Sequence, residues 1–207
     1  MKEFRNKVAV ITGGASGIGR AIAERCMEEG MKLVLADIEA SALHETEQQL
    51  KGAGAVVLAV RTDVSKVEAL AQQTLDRFGA VHLLFNNAGV AAGSTVWEST
   101  LADWEWVLGV NLWGVIYGVR TFVPIMLRQD IEAHIVNTAS MAGLVSTPGL
   151  GVYNVSKFGV VTLSETLQRE LAARNAKVKV SVLCPGWVNT RIADSHRNRP
   201  AELQNDA

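Results

Sequence analysis

Cysteine is scarce in this chain of 207 residues: there are two, Cys26 and Cys184, far apart and without metal-ligand spacing. They read as free thiols of a reducing compartment rather than as a bridge. Net charge is also nearly absent. Twenty basic and 21 acidic residues give -1, and the basic residues are scattered, so nothing points to nucleic acid or another polyanion as partner. The four histidines, His44, His82, His134 and His196, form no ligand pair at helical spacing, and no metal is expected. Long apolar runs are lacking too. The run after Lys7 breaks at Thr12-Gly13, too early for a signal peptide. The most apolar helical stretch, Leu112 to Leu127, contains Arg120 and Pro124 and reads as too short to span a bilayer comfortably. A soluble, cytoplasmic protein is the expectation, with no membrane partner.

What is present is a regular alternation. Short apolar runs at Val8–Ile11, Met31–Asp37, Ala55–Val60, His82–Phe85, Ala133–Ser140 and Lys177–Leu183 alternate with helix-prone stretches, the longest over 151–174. Continuous apolar strands alternating with helices predict a parallel sheet covered on both faces. With right-handed crossovers this is an α/β, doubly wound, three-layer fold of the Rossmann type. One domain over residues 1–194 is expected, followed by a mobile polar tail over 195–207.

Special residues fall at the ends of five strands. After the first comes Gly13-Gly14-Ala15-Ser16-Gly17-Ile18-Gly19, leading into a helix. Glycine supplies the turn and lets a diphosphate approach bare backbone, while the helix aims N–H groups and its positive dipole end at the loop. An ordinary glycine-rich turn is the competing reading. Asp37 ends the second strand about twenty residues on, where a carboxylate accepts from both adenosine ribose hydroxyls and repels a 2′-phosphate. This favours NAD over NADP; a helix-capping Asp is the alternative. Asn87, Ser140 and Pro185 end the fourth, fifth and sixth strands. Tyr153 and Lys157 lie four apart and share a helix face. A phenol with an ordinary pKa of about 10 is a poor proton shuttle at neutrality. A neighbouring ammonium and an oxidised nicotinamide are expected to lower it, so that Tyr153 can exchange a proton with a substrate oxygen held by Ser140.

Together, Thr12-Gly13-Gly14-Ala15-Ser16-Gly17-Ile18-Gly19, Asn86-Asn87-Ala88-Gly89, Asn111, Ser140, Tyr153-Asn154-Val155-Ser156-Lys157 and Pro185-Gly186 resemble the ordered motif set of the short-chain dehydrogenases/reductases, over Val8 to Thr190. The resemblance implies an oxidoreductase with Tyr153 as general acid/base, Lys157 binding the nicotinamide ribose and tuning Tyr153, and Ser140 orienting the substrate. It implies that Asn111 holds a water linking Lys157 to solvent; a mere helix kink is the alternative. It also implies that Asp63 and Val64 flank the adenine, that Asn87, Ala88 and Gly89 lie along the cofactor, and that Pro185, Gly186, Val188 and Thr190 meet the nicotinamide side.

Members of that family are usually several dozen residues longer, with a lid and a seventh strand after the sixth. A sheet lacking that strand would leave the sixth as an exposed edge. A homodimer or homotetramer is expected, with one interface on the helices around Leu112–Leu127 and Val155–Leu171. Candidate pocket residues Val90, Met141, Leu144, Val145, Leu150, Trp187 and Val188 are apolar, which favours a lipophilic secondary alcohol or ketone as substrate. The alternatives are a catalytically silent nucleotide-binding regulator on the same fold, and an isomerase or dehydratase of a related nucleotide-sugar scaffold.

Overall fold

The computed structural model describes residues 1–205. Strands β1 (Val8–Thr12), β2 (Lys32–Asp37), β3 (Val56–Arg61), β4 (Leu83–Asn86), β5 (Ala133–Thr138) and β6 (Val178–Leu183) form one sheet in the order β3-β2-β1-β4-β5-β6. Every pairing is parallel. The chain winds outward from β1 to β3, then restarts at β4 on the other side of β1. That reversal makes a crevice at the carboxyl ends of β1 and β4.

Side chains alternate across the sheet, so two cores form. Val8, Val10, Val34, Leu84, Phe122 and Met126 pack on one face. Ala9, Ile11, Leu33, Leu35, Leu43 and Leu50 pack on the other. Helices α1 (Gly17–Glu28) and α2 (Ala40–Gly52) cover the second face. Helices α3 (Glu68–Phe78), α5 (Gly114–Gln129) and α6 (Gly151–Ala173) cover the first. This is the expected three-layer, doubly wound architecture. Among the described residues no strand follows β6, whose outer edge is half exposed.

The apolar helix differs from its sequence reading. It does not start near Leu112: α4 (Leu101–Leu108), a π-turn (Gly109–Trp113) and α5 run on without a break. The start is fixed by a capping box that the shorter reading overlooked. The Thr100 hydroxyl accepts from Asp103 N–H at 3.1 Å, and the Asp103 carboxylate accepts from Thr100 N–H at 2.9 Å. The continuous run of 29 residues has the length and composition of a membrane span, so shortness is no argument against one. Here it buries Trp106, Val107, Phe122 and Met126 against the rest of the fold.

The tail expected to be mobile is placed against the body as far as Asn205; residues 206 and 207 lie outside the described residues. Ser195 is 3% exposed, and its hydroxyl accepts from Ala91 N–H at 2.9 Å. Arg199 pairs with Asp103 at 2.6 Å, with both side chains about nine-tenths buried. The polarity that suggests solvation is spent on contacts to α4 and the loop after β4.

Candidate active site

β1 ends in Thr12, and the chain turns through Gly13 (φ +65°) and Gly17 (φ +52°) into α1. Both angles favour glycine. A Cβ on Gly13 would lie 2.9 Å from Ala88 Cα, and one on Gly19 would collide with the Gly13 carbonyl. The loop is therefore a backbone-lined cradle, with the unpaired N–H groups of the first turn of α1 at its floor. Ser16 precedes that helix and its side chain makes no cap. Ile18, Val188 and Thr190 line a surface depression beside Gly17. The donor set and the missing side chains fit a dinucleotide diphosphate.

Asp37 stands at the end of β2, where its carboxylate accepts from Ala15 N–H and from Glu39 N–H, each at 3.0 Å. It thus shapes both the glycine loop and its own turn, and each oxygen keeps a lone pair for a ribose hydroxyl. Burial pushes its pKa up, and the backbone N–H groups pull it back. At the end of β3, Asp63 is exposed and accepts from Ser65 N–H at 2.9 Å, while Val64 packs on Gly114.

Across the crevice, Asn87 N–H and Ala88 N–H donate to the Thr12 hydroxyl at 2.9 and 3.1 Å. Asn87 Nδ2 donates to the Thr12 carbonyl at 3.1 Å, and Asn87 Oδ1 accepts from the Thr138 hydroxyl at 3.2 Å. The ends of β1, β4 and β5 are thereby laced together. Neither Thr12 nor Thr138 was assigned a role from sequence; their position at strand ends was the available signal.

Lys157 is 2% exposed and donates from Nζ to the Thr138 carbonyl at 3.0 Å. Nζ lies 5.4 Å from the centre of the Tyr153 ring, in cation–π range. Burial lowers the Lys157 pKa to about 8, with the Cys184 thiol opposing. Burial raises the pKa of Tyr153, and a hydrogen bond from Ser140 counters it. The sequence reading expected an acidified phenol. That expectation included a bound oxidised nicotinamide; in the chain alone, desolvation outweighs the Ser140 bond. Ser140 caps a short turn, accepting from Ala142 N–H at 3.1 Å, and Pro185 O accepts from Met141 N–H at 2.9 Å. Gly186 has open space around it.

Asn111 is fully buried in the π-turn. Its Oδ1 accepts from Val90 N–H at 2.8 Å, and its Nδ2 donates to Val90 O at 2.9 Å and to the Ser156 hydroxyl at 3.2 Å. Ser156 in turn donates to Tyr153 O at 2.7 Å. Asn111 therefore braces the loop after β4 against the first turns of α6. Gly89 separates Asn111 from Lys157: a Cβ there would sit 3.5 Å from Asn111 Oδ1 and 3.6 Å from Lys157 Nζ. Of the apolar pocket candidates, Val90 belongs to a buried cluster with Trp106 and Val152. Met141, Leu144, Val145, Trp187 and Val188 are exposed.

The sequence profile described as short chain dehydrogenase matches residues 7–201. The chain belongs to the short-chain dehydrogenase family. A crystal structure of a short-chain dehydrogenase/reductase from Burkholderia phymatum in complex with NAD is 57% identical, covers 100% of this chain and 75% of its own, and superposes with a TM-score of 0.99. The CLA biosynthesis dehydrogenase/reductase of Lactiplantibacillus plantarum is 42% identical over 98% of this chain and 72% of its own length. The 1-deoxy-11-beta-hydroxypentalenate dehydrogenase of Streptomyces arenae is 38% identical over 92% and 70%. As a short-chain dehydrogenase, the chain is an oxidoreductase of a family that uses a nicotinamide cofactor and acts on small molecules.

Proposed function

We propose that this short-chain dehydrogenase moves a hydride between NAD(H) and a lipophilic secondary alcohol or ketone, with Tyr153 as the proton carrier. The observation that carries the reading is the buried ammonium of Lys157 against the Tyr153 ring, beside Ser140 and across the crevice from the glycine cradle. The nicotinamide, when bound, supplies or takes the hydride.

The chain's own residues do the rest. Gly13, Gly17 and Gly19 let the diphosphate reach the N-terminus of α1. Asp37 takes the adenosine ribose hydroxyls and repels a 2′-phosphate, which favours NAD; the NAD complex of the Burkholderia phymatum relative supports this preference. Ser140 holds the substrate oxygen. In the reducing direction the protonated Tyr153 phenol donates to that oxygen, and Lys157 stabilises the phenolate left behind. Asn111 keeps the π-turn and α6 in register and anchors the route by which Lys157 is resupplied with protons. The exposed apolar side chains of Met141 and Leu144, in and after the turn that Ser140 caps, suit a lipophilic substrate. The Streptomyces arenae relative is a dehydrogenase of a hydroxylated small molecule, 1-deoxy-11-beta-hydroxypentalenate, which supports an alcohol as substrate. A homodimer through α5 and α6 accounts for the exposure of Trp113, Val155 and Phe158.

The test is a panel of aliphatic, cyclic and steroid-like alcohols and ketones assayed with NAD and NADP in parallel. Tyr153→Phe should abolish turnover, by about a hundredfold or more, yet keep NAD binding by calorimetry. Turnover that survives Tyr153→Phe, or a preference for NADP, would overturn the assignment.

A further inference from the structure

A buried hydroxyl inside a helix ordinarily bonds a carbonyl of the preceding turn. Thr74, Ser156 and Ser164 do so, donating to Leu70 O, Tyr153 O and Val160 O, each at 2.7 Å. Thr46, in the middle of α2 and 1% exposed, does otherwise. Its hydroxyl leaves the helix and donates to the carbonyl of Ala15, inside the glycine loop, at 2.9 Å. Ala15 is held from a second side as well. Its N–H donates to the Asp37 carboxylate at 3.0 Å, and its methyl group belongs to the same apolar cluster as Leu43 and Leu50 of α2. Both polar groups of the Ala15 backbone are thus spent on side chains, one from the end of β2 and one from α2.

The Ala15–Ser16 peptide is trans, so it is planar, with its C=O and N–H on opposite sides. The bond from Thr46 turns the Ala15 carbonyl toward α2. The N–H of the same unit, that of Ser16, therefore points away from α2. Ser16 stands at the N-cap of α1 and is half-buried, and its N–H has no protein partner among the described residues. It joins the free N–H groups of the first turn of α1. Turned over, the same peptide would present a carbonyl where those donors gather, and would repel an anion.

On the reading that the crevice takes a dinucleotide, we propose that Thr46 is a positioning residue for it. The Thr46 hydroxyl locks the Ala15–Ser16 peptide with the Ser16 N–H outward, ready to donate to an oxygen of the adenosine diphosphate half. Thr46 itself touches no cofactor atom and acts through this one peptide.

Thr46→Val keeps the shape of the side chain and removes the donor, whereas Thr46→Ser keeps the donor and removes a methyl group. Leu50→Val trims the same face of α2 one turn on and leaves the hydrogen bonds of the loop alone. Urea unfolding ranks the three variants for stability, and calorimetry with ADP-ribose reads their affinity. Thr46→Val should bind ADP-ribose about fivefold more weakly than the wild type, the equivalent of one neutral hydrogen bond. Thr46→Ser should restore most of that loss, and Leu50→Val should bind at wild-type strength whatever stability it forfeits. In the unliganded chain, hydrogen exchange of the Ala15 amide should quicken in Thr46→Val and not in Thr46→Ser. Wild-type affinity in Thr46→Val would overturn the proposal. So would a Thr46→Ser as weak as Thr46→Val, which would make the methyl group decisive, or an equal loss in Leu50→Val, which would mark a general loosening of α2. An Ala15 amide that exchanges at the wild-type rate in Thr46→Val would overturn the lock directly. A wild type that binds no ADP-ribose, while Ala15 still responds to Thr46→Val, would instead overturn the dinucleotide reading, and the cofactor role of Thr46 with it.

Discussion

Lys157 is where function and stability pull apart most strongly. Its native pKa is about 8, against an ordinary 10.5, because burial disfavours the ammonium. Between those two values the unfolded chain holds a proton that the native chain has lost, so stability rises with pH across that window. Below about pH 8 both states are charged, and the native state carries the whole penalty, about 3 kcal/mol. Lys157→Met keeps the apolar stem and removes the charge. It also leaves the Thr138 carbonyl unpaired, which costs about 1–2 kcal/mol. The net expectation at pH 7 is a variant about 1–2 kcal/mol more stable than the wild type and inactive. Urea unfolding at pH 7 and pH 10 checks this: the wild type should gain on the variant as pH rises. A variant less stable at pH 7 would mean that the Thr138 bond outweighs desolvation.

At the scale of elements, α5 lies so close to β4 that Gly118 has no room for a methyl group: a Cβ there would be 2.8 Å from Asn86 Cγ. Asn86 Nδ2 donates to Asn137 Oδ1 at 2.8 Å, Asn137 Nδ2 to the Ser164 hydroxyl at 2.9 Å, and Ser164 to Val160 O at 2.7 Å. This chain of bonds ties β4, β5 and α6 together behind the site. Gly118→Ala displaces Asn86 and opens the network, so it should cost about 2–3 kcal/mol and lower the melting temperature by roughly 5–10 °C. A melting temperature within a degree of wild type would show that α5 can shift outward freely. None of this was legible in the sequence, where Gly118 looks like any helix glycine. The strand ends were legible, because Gly13, Asp37, Asn87 and Ser140 each interrupt an apolar run with a residue that strands do not favour. The Glu39–Arg197 and Asp103–Arg199 pairs were not: their partners are far apart in the chain and have no local signature. The upward push on the Tyr153 pKa in the chain without cofactor was not legible for a related reason. The neighbour's charge can be read from spacing, but the burial that opposes it cannot.

Over the whole molecule, the two edges of the sheet have different work. The carboxyl edge carries the glycine loop, the Asp37 carboxylate, the phenol and the buried lysine. The amino edge carries contacts that only hold the chain together. There the Met1 amino group pairs with Glu132 at 2.6 Å, and Gln129 closes both backbone groups of Val81 at 2.8 Å. His82 Nδ1 accepts from Val8 N–H at 3.1 Å at the start of β1. That role needs a neutral ring, since a protonated Nδ1 would point a hydrogen at a hydrogen. Burial lowers the His82 pKa, and Lys7 and Lys32 add to the shift. A lowered native pKa means that the unfolded chain takes up its proton first. Stability is therefore undiminished above the ordinary value of 6.5 and falls as pH drops below it. His134, also lowered by burial, contributes in the same direction, but its bond to the Ser181 hydroxyl survives either tautomer. His82→Asn offers an amide oxygen where Nδ1 was and has no proton to gain. It should therefore flatten the decline in stability between pH 6.5 and pH 5 while leaving NAD affinity at wild-type strength, because His82 lies a full strand length from the cradle. Melting curves over that pH range, paired with calorimetric titration of NAD, test both halves. An unchanged acid slope would move the titration to His134. A loss of NAD affinity would mean that the two edges are coupled through β1 and that the division of labour does not hold.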